Sequence, residues 1–320
     1  MQLTRFLIVV WAAGCGGGGG GGNGMNPDAP NQPTDSTPVG TDGGIDGGTD
    51  ASTDASSNPI DGGGPQAAAN DLCANATAIS ISDMHAQLVA NPVGAHADLA
   101  PPCGTAGQPD VFFKFELSRR ELVYADTFGA TGNTALYFAS SCSTARTVST
   151  TPGDAVCSTG ACGLGQSQVV ALLDPGTHYL VMSGQAAANI HFQHVEVGNG
   201  TVGSLAQGSS TITGATSSNG FGTLYACDGG GAENSYWWRT CPNDAGGSFQ
   251  GSTCGVGTNF DTILSLQMPG SEAVMCDDDT CSFQSTVSAN IPAGAGLFVI
   301  SVDGFSSARH GNYTLTATRP

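Results

Sequence analysis

Residues 167–183, SQVVALLDPGTHYLVMS, and residues 285–302, STVSANIPAGAGLFVISV, decide the fold of this chain. Each stretch runs from a Ser through a short apolar segment to a turn containing Pro and Gly, and then into a second apolar segment. Short apolar runs bounded by turn residues are typical of β-strands, and we expect residues 167–173 and 178–183 to form a hairpin. The likeness between the two stretches indicates an internal duplication.

The duplication extends upstream, and the matches occur in the same order in both copies. It predicts one fold copied twice with changed loops. The matched pairs are Thr127-Phe-Gly with Thr253-Cys-Gly, Asn133-Thr-Ala-Leu with Asp261-Thr-Ile-Leu, Cys157-x4-Cys162 with Cys276-x4-Cys281, and Cys103 seven residues before Asp110 with Cys227 seven before Asn234.

The composition favours strands over helices. Charged residues make up only 11% of the chain and Gly numbers 48, while the remaining segments are rich in Val, Thr and Ser. Val111–Leu117 partly alternates apolar and polar residues, and Ile190–Val197 and Asn312–Thr318 are expected to close the two copies. The predicted fold is all-β, with two tandem antiparallel β-sandwich domains of jelly-roll-like form.

The N-terminus has the pattern of an export signal. Met1–Arg5 carries one positive charge, and Phe6–Ala13 is apolar but too short to span a bilayer. The small residues before Cys15 resemble the lipobox of bacterial lipoproteins, although Ala12 stands where Leu is usual. The resemblance implies that Cys15 is acylated, and Gly16 in place of Asp implies the outer membrane as its destination.

Residues 16–69 contain almost no large apolar side chain and cannot bury enough area to offset their chain entropy. We expect a disordered linker rich in Gly, Asp, Pro and Thr. The predicted organisation is a signal peptide at 1–14, the linker at 15–69, and β-sandwich repeats at 70–198 and 199–320.

Two series of segments carry a resemblance to a known family. They are DVFFKF (110–115), ADTFG (125–129), NTALYFASSC (133–142) and SQVVALLDPGTHYLV (167–181) in the first copy, and FDTILSL (260–266), CDDD (276–279), FVISVDG (298–304) and GNYTL (311–315) in the second. These segments resemble bacterial pre-peptidase C-terminal domains, in the form found in myxobacterial surface lipoproteins. The resemblance implies jelly-roll β-sandwiches that bind substrates or surfaces, some of them with calcium.

The chain contains 11 cysteines, which indicates an oxidising compartment such as the periplasm or the cell surface. Each copy holds five besides Cys15, so full pairing requires at least one bridge between the copies. Cys241 and Cys254 align with the apolar Leu117 and Phe128, which favours a Cys241–Cys254 bridge. Other expected pairs are Cys73–Cys103 and Cys276–Cys281, with Cys157–Cys162 competing against Cys142–Cys157. The disulfide candidates are Cys73, Cys103, Cys142, Cys157, Cys162, Cys227, Cys241, Cys254, Cys276 and Cys281.

Charge and motifs argue against several functions. The net charge of −18 leaves no strongly basic face, so nucleic acid is a poor partner. The sequence contains neither HExxH nor GxSxG. His191 and His194 are the one close histidine pair, and residues three apart on a strand point to opposite faces. We therefore expect no enzyme.

Two groups of residues are candidates for binding. Asp277, Asp278 and Asp279 form the densest acidic cluster, which Asp261 and Asp303 could join as oxygen ligands for calcium. The alternative is a solvated acidic turn without any cofactor. Trp237 and Trp238 are candidates for a sugar-stacking platform, although strand alternation requires at least one of them to lie in the core.

The function predicted from the sequence is a non-catalytic binding or adhesion protein at the cell surface, held to the membrane by its lipid anchor. Its expected partner is an extracellular glycan or protein. The alternatives are a structural spacer of the envelope and a hydrolase whose triad the sequence does not reveal.

Overall fold

The computed structural model describes residues 68–146, 154–218, 230–231 and 233–320. The predicted signal peptide, Cys15, Cys227 and all but the last two residues of the predicted linker lie outside the described residues. The described part contains nineteen strands and no α-helix, hence no helix that could cross a bilayer. Its two short 3-10 turns are Cys73–Asn75 and Pro269–Ser271.

The first sandwich consists of two sheets. Its strands are β1 (Thr77–Ala78), β2 (His85–Ala90), β3 (Asp110–Leu117), β4 (Glu121–Asp126), β5 (Thr134–Ser141), β6 (Thr144–Ala145), β7 (Cys157–Ser158), β8 (Gln168–Leu173), β9 (Gly176–Gly184) and β10 (Ala188–Glu196). Sheet I has the order β1-β3-β9-β5-β6, with β7 also paired to β5, and sheet II has the order β2-β10-β4-β8.

The second sandwich repeats this plan. Its strands are β11 (Val202–Ser204), β12 (Gly208–Ala215), β13 (Asn234–Thr240), β14 (Gly247–Ser252), β15 (Thr262–Met268), β16 (Ala273–Asp277), β17 (Thr286–Ile291), β18 (Gly296–Gly304) and β19 (Asn312–Arg319). Sheet III has the order β11-β13-β18-β15-β16, and sheet IV has the order β12-β19-β14-β17.

Both sandwiches have jelly-roll topology. In each copy eight antiparallel strands form two four-stranded sheets in the jelly-roll order, and one short strand, β1 or β11, adds in parallel beside them. The first copy has one additional two-residue strand, because both β6 and β7 pair with β5. Apart from this additional strand, the strand orders of the two copies correspond. The prediction of an all-β fold with two tandem jelly-roll-like sandwiches is confirmed.

The predicted hairpin at residues 167–183 is wrong. Its two strands exist as β8 and β9, but β8 pairs with β4 in sheet II while β9 pairs with β3 and β5 in sheet I. The turn before Gly176 carries the chain across the sandwich instead of back along the same sheet. Strand period and turn residues reveal that the chain reverses, but not which sheet receives the second strand.

The four sheets stack in the order I, II, III, IV because the inner sheets bury both of their faces. In β8, Val169, Ala171 and Leu173 join the core between sheets I and II, whereas Val170 and Leu172 face sheet III. On sheet III, apolar residues that include Leu297 and Val299 pack against this face. The opposite face of sheet III forms the core against sheet IV. The two sandwiches are therefore joined by an apolar sheet-to-sheet contact.

A cluster of three buried hydroxyl groups joins sheet I to sheet II. Thr127 follows β4, Thr134 begins β5, and Ser167 precedes β8. The hydroxyls of Thr127 and Thr134 lie 2.6 Å apart, the backbone N–H of Ser167 donates to Thr127 Oγ1 at 2.9 Å, and the Ser167 hydroxyl donates to the Thr134 carbonyl at 2.6 Å. Buried polar groups are stabilising only when they are satisfied in this way. We call this set the hydroxyl cluster.

The second copy contains the same hydroxyl cluster. The hydroxyls of Thr253 and Thr262 lie 2.7 Å apart, the Ser285 N–H donates to Thr253 Oγ1 at 3.1 Å, and the Ser285 hydroxyl donates to the Thr262 carbonyl. All three residues were matched between the copies in the sequence, and this shared network is the physical reason for the match.

Four disulfides lie among the described residues. They are Cys73–Cys142, Cys103–Cys157, Cys162–Cys241 and Cys254–Cys281. Cys276 is disulfide-bonded as well. Cys162–Cys241 joins the two sandwiches, as the odd number of cysteines in each copy required. So many disulfides place the folded chain in an oxidising, extracytoplasmic compartment.

The expected individual pairs are wrong. Cys241 follows β13, on the side of sheet III that faces the first sandwich, and therefore meets Cys162 rather than Cys254. Cys254 follows β14 and meets Cys281 in the loop before β17. Cys73–Cys103, Cys276–Cys281, Cys142–Cys157 and Cys157–Cys162 are excluded by the same four bridges. Proximity in the sandwich, not in the sequence, sets the pairing.

We expect Ser167→Ala to lower the free energy of unfolding by about 1–3 kcal/mol, because it leaves buried acceptors of the hydroxyl cluster unsatisfied. Ser285→Ala in the second copy should have a loss of similar size. The control is the exposed Ser209→Ala, which should change stability by no more than about 0.5 kcal/mol. Urea denaturation measures all three, and equal stabilities of Ser167→Ala and Ser209→Ala would contradict the role of the cluster.

Candidate binding cleft between the sandwiches

A cleft of about 750 Å³ opens where the two sandwiches meet. Strands β2 and β10 and the turn after β4 form one side, and loops of the second sandwich form the other. Its volume lies in the range of small-molecule sites. The lining residues are His85, Ala86, Gln87, Asp126, Phe128, Gly129, His191, Phe192, Gln193, Pro242, Gly270, Gly294 and Ala295.

The chemical centre of the cleft is a histidine–aspartate pair. His191 on β10 lies directly across from Asp126 on β4, and their Nδ1 and Oδ1 atoms are 2.9 Å apart. Asp126 is almost fully buried, whereas the His191 side chain is 44% exposed. Its hydrogen bond to Asp126 raises the pKa of His191 above the usual value. This bond engages Nδ1, so Nε2 is the ring atom that can meet a ligand.

A chain of buried hydrogen bonds supports this pair. The Tyr124 hydroxyl donates to Asp126 Oδ2 at 2.7 Å, and the Gln168 amide donates both to Tyr124 at 3.0 Å and to the Thr240 carbonyl at 2.8 Å. Thr240 belongs to β13, so the chain crosses from the first sandwich to the second. Together with the neighbouring Cys162–Cys241 bridge, it holds both walls of the cleft in place.

The second sandwich contacts the cleft through further polar groups. Gln193 on β10 accepts a hydrogen bond from the Leu297 N–H at 2.9 Å, and His85 on β2 lies 3.1 Å from a carboxylate oxygen of Glu272. None of the described residues that line the cleft carries a hydroxyl, thiol or amine group. The arrangement can donate and accept hydrogen bonds, but the histidine–aspartate pair has no serine or cysteine beside it.

The His194 side chain is buried and makes its hydrogen bonds inside the first sandwich, not in the cleft. Its Nδ1 lies 2.6 Å from Glu121 and its Nε2 lies 2.8 Å from the Asp83 carbonyl, and its ring packs near that of Phe192. The predicted opposite orientation of His191 and His194 is confirmed. A histidine with both ring nitrogens engaged by protein groups is a structural residue.

The predicted sugar platform at Trp237 and Trp238 is wrong, because each tryptophan is only 2% exposed. Trp238 stacks between Phe249 and Phe298 in the core of the second sandwich, with ring centroids 5.0 and 5.2 Å away. Trp237 faces the other way, into the contact between sheets II and III. Sequence alternation predicted one buried tryptophan, and the stacked first sandwich covers the other.

The acidic residues proposed for calcium do not assemble into one site. Asp277 accepts hydrogen bonds from the N–H groups of Thr286 at 2.7 Å and Thr280 at 3.3 Å, so it stabilises its own turn. Asp303 is buried and accepts from the Gly304 N–H.

Asp261 is the carboxylate that the neighbouring acidic turn affects. Desolvation, together with the charges of Asp279 and Asp278, raises the pKa of Asp261. Even so, no three His, Cys, Asp or Glu side chains in the described part of the chain are placed to hold a metal ion. The residues do not fit a preformed calcium site, and calcium binding stays a prediction from the sequence.

The cleft itself could not be found in the sequence. Asp126 and His191 are 65 residues apart and meet only because β4 and β10 are neighbours in sheet II. The other wall comes from loops more than 40 residues beyond His191. One signal was present: His191 lies on the strand predicted to close the first copy, and the aspartate directly precedes the duplicated Thr-Phe-Gly segment.

No family model and no curated protein matches the chain. Solved structures with some likeness include PliG of Aeromonas hydrophila, a periplasmic inhibitor of g-type lysozyme, at 14% identity and a TM-score of 0.26, covering 38% of this chain and 96% of that one. The CUB1-EGF-CUB2 domains of rat MASP-1 match at 9% identity and a TM-score of 0.20 over 75% of this chain and 99% of that one. These TM-scores carry no argument about function.

We expect His191 to make the stability of the protein depend on pH. Because its pKa is raised in the folded state, its contribution is fully present below the unfolded pKa of about 6.5 and is lost as pH rises through the higher folded value. His191→Gln should therefore cost more stability at pH 5 than at pH 8.5. Thermal unfolding across this range measures the difference, with the exposed His310→Gln as control. If His191→Gln lowered the stability equally at both pH values, the raised pKa of His191 would be contradicted.

Proposed function

We propose that this chain is a non-catalytic binding protein of the bacterial outer membrane, anchored by a lipid on Cys15. Its ligand, an extracellular glycan or protein segment, binds in the cleft between the sandwiches. As in the pre-peptidase C-terminal domains that the sequence resembles, the sandwiches act by binding.

The anchor is supported by the apolar segment before Cys15 and by the small residues next to it. The disulfides support export, since such bridges form and persist outside the reducing cytosol. The low-complexity composition of residues 16–69 suits a tether between the membrane and the sandwiches.

The observation that carries the binding role is the cleft built jointly by two sandwiches. The disulfide Cys162–Cys241 and the hydrogen bonds of Gln168 fix its walls, and a rigid cleft loses little entropy when a ligand binds. His191 offers a ring nitrogen at its surface, while the lining supplies no Ser, Thr, Cys or Lys nucleophile. Binding is the chemistry that these groups support.

The anchor predicts a specific mature N-terminus. Mass spectrometry of the protein purified from membranes should find acylated Cys15 as the first residue, and a Cys15→Ser variant should leave the membrane fraction. Non-reducing peptide maps of the same sample should contain the four described disulfide pairs. An unmodified Cys15, or a mature chain that still begins at Met1, would overturn the anchor while leaving the cleft untouched.

If the ligand binds in the cleft, a bulky side chain placed there should lower the affinity for that ligand. On an array of extracellular glycans and secreted proteins, the parent should bind at least one ligand class, and Ala295→Trp should weaken that binding about tenfold or more by filling the cleft. The matched control is Ala293→Trp, an exposed position in the same loop that does not line the cleft.

Two results would overturn the binding role. Failure of the parent to bind any member of the array would favour the spacer function. Turnover of a bound ligand, abolished by His191→Gln, would favour the hydrolase alternative.

A further inference from the structure

A second concavity, of about 490 Å³, lies at one loop end of the first sandwich, at the ends of β5 and β9. It is separate from the cleft and shares no lining residue with it. The lining residues are Gly104, Thr105, Gln108, Gly132, Asn133, Thr134, Ala135, Thr159, Ser183, Gly184, Gln185 and Ala186. We call it the loop-end cavity.

Small residues keep the loop-end cavity open. A Cβ at Gly104, where φ is +106°, would lie 2.7 Å from the Thr159 methyl group, and a Cβ at Gly132 would lie 3.1 Å from that of Ala186. Larger side chains on these walls would have to enter the space or displace their neighbours. The cavity therefore depends on the absence of side chains at particular positions.

The polar groups of the loop-end cavity are amides and hydroxyls. The side-chain amide of Gln185 donates a hydrogen bond to that of Gln108 at 3.0 Å. The Ser183 hydroxyl lies 3.4 Å from the backbone carbonyl oxygen of Gln108. Asn133 and Thr159 add an amide and a hydroxyl to the wall. No lining residue is charged, in a chain whose net charge is −18.

The second copy shows that this neutrality is particular to the first. The register pairs Thr134 with Gly184 in the first copy and Thr262 with Gly304 in the second, so the residues around these pairs occupy corresponding positions in the two strand ladders. At the places of Asn133 and Ser183 the second copy has Asp261 and Asp303. The same location in one fold is thus neutral in one copy and acidic in the other.

We infer that the loop-end cavity binds a neutral saccharide. Hydroxyl and amide groups both donate and accept hydrogen bonds, as sugar hydroxyls do, and the wall has no charged group to neutralise a carboxylate, phosphate or ammonium group. The alanines and the threonine methyl groups supply apolar contact for the faces of a sugar ring. This site lies outside the cleft and does not depend on what the cleft binds.

The test titrates the full chain with neutral sugars, namely glucose, galactose, mannose and N-acetylglucosamine, and with the charged glucuronate and glucosamine. Isothermal calorimetry or NMR should detect one site per chain for at least one neutral sugar, at weaker affinity for the charged analogues. Absence of binding by all the neutral sugars, or tighter binding of a charged analogue, overturns the inference.

Two variants locate the site. Gln185→Ala removes an amide and should weaken binding about tenfold, the worth of one hydrogen bond, and Ala186→Leu should weaken it at least as much by narrowing the space. The matched control, Ser306→Leu, places the same bulk at the equivalent position of the second copy and should change nothing. Unchanged affinity in both Gln185→Ala and Ala186→Leu overturns the inference. Ala295→Trp, which blocks the cleft, should leave sugar binding intact, so the two sites can fail separately.

Discussion

The relative position of the two walls of the candidate cleft depends on one apolar contact, the packing of sheet II against sheet III. Tyr124, Val170 and Val195 on one side meet Trp237 and Val299 on the other. Because this contact makes the two sandwiches a single stack, loops from the second copy close over His191 of the first. The Cys162–Cys241 bridge and the Gln168 hydrogen bonds lie at its edge, where they resist sliding of one sandwich on the other.

The duplication was visible in the sequence because both copies keep the residues of the hydroxyl cluster. The hydroxyl cluster needs Thr, Thr and Ser at three places that come together only in the folded sandwich, and any apolar substitute would leave buried groups unsatisfied. Thr127, Thr134 and Ser167 therefore recur as Thr253, Thr262 and Ser285, while the loops between them diverge.

Fold class and strand positions could be predicted from alternation, turn residues and the repeat, since these are local properties of the chain. The pairing of β8 with β4, the bridge from Cys162 to Cys241 and the burial of Trp237 could not. Each depends on which sheet lies against which, and that is set by packing between segments about 40 to 120 residues apart. The candidate cleft could not be predicted for the same reason, since its two walls come from different sandwiches.

The two copies share one fold but differ in the faces that they expose. The outer face of sheet II is apolar and covered, whereas the matching face of sheet IV carries exposed hydroxyls such as Ser209, Thr211 and Thr318 and faces solvent. A polar outer face is what ends a stack of repeats. The loop ends differ as well, neutral around Asn133 and acidic around Asp261, and neither of these two residues belongs to the buried core. The shared sheets thus supply the frame, and the differences between the copies lie in the covered faces and the loop ends.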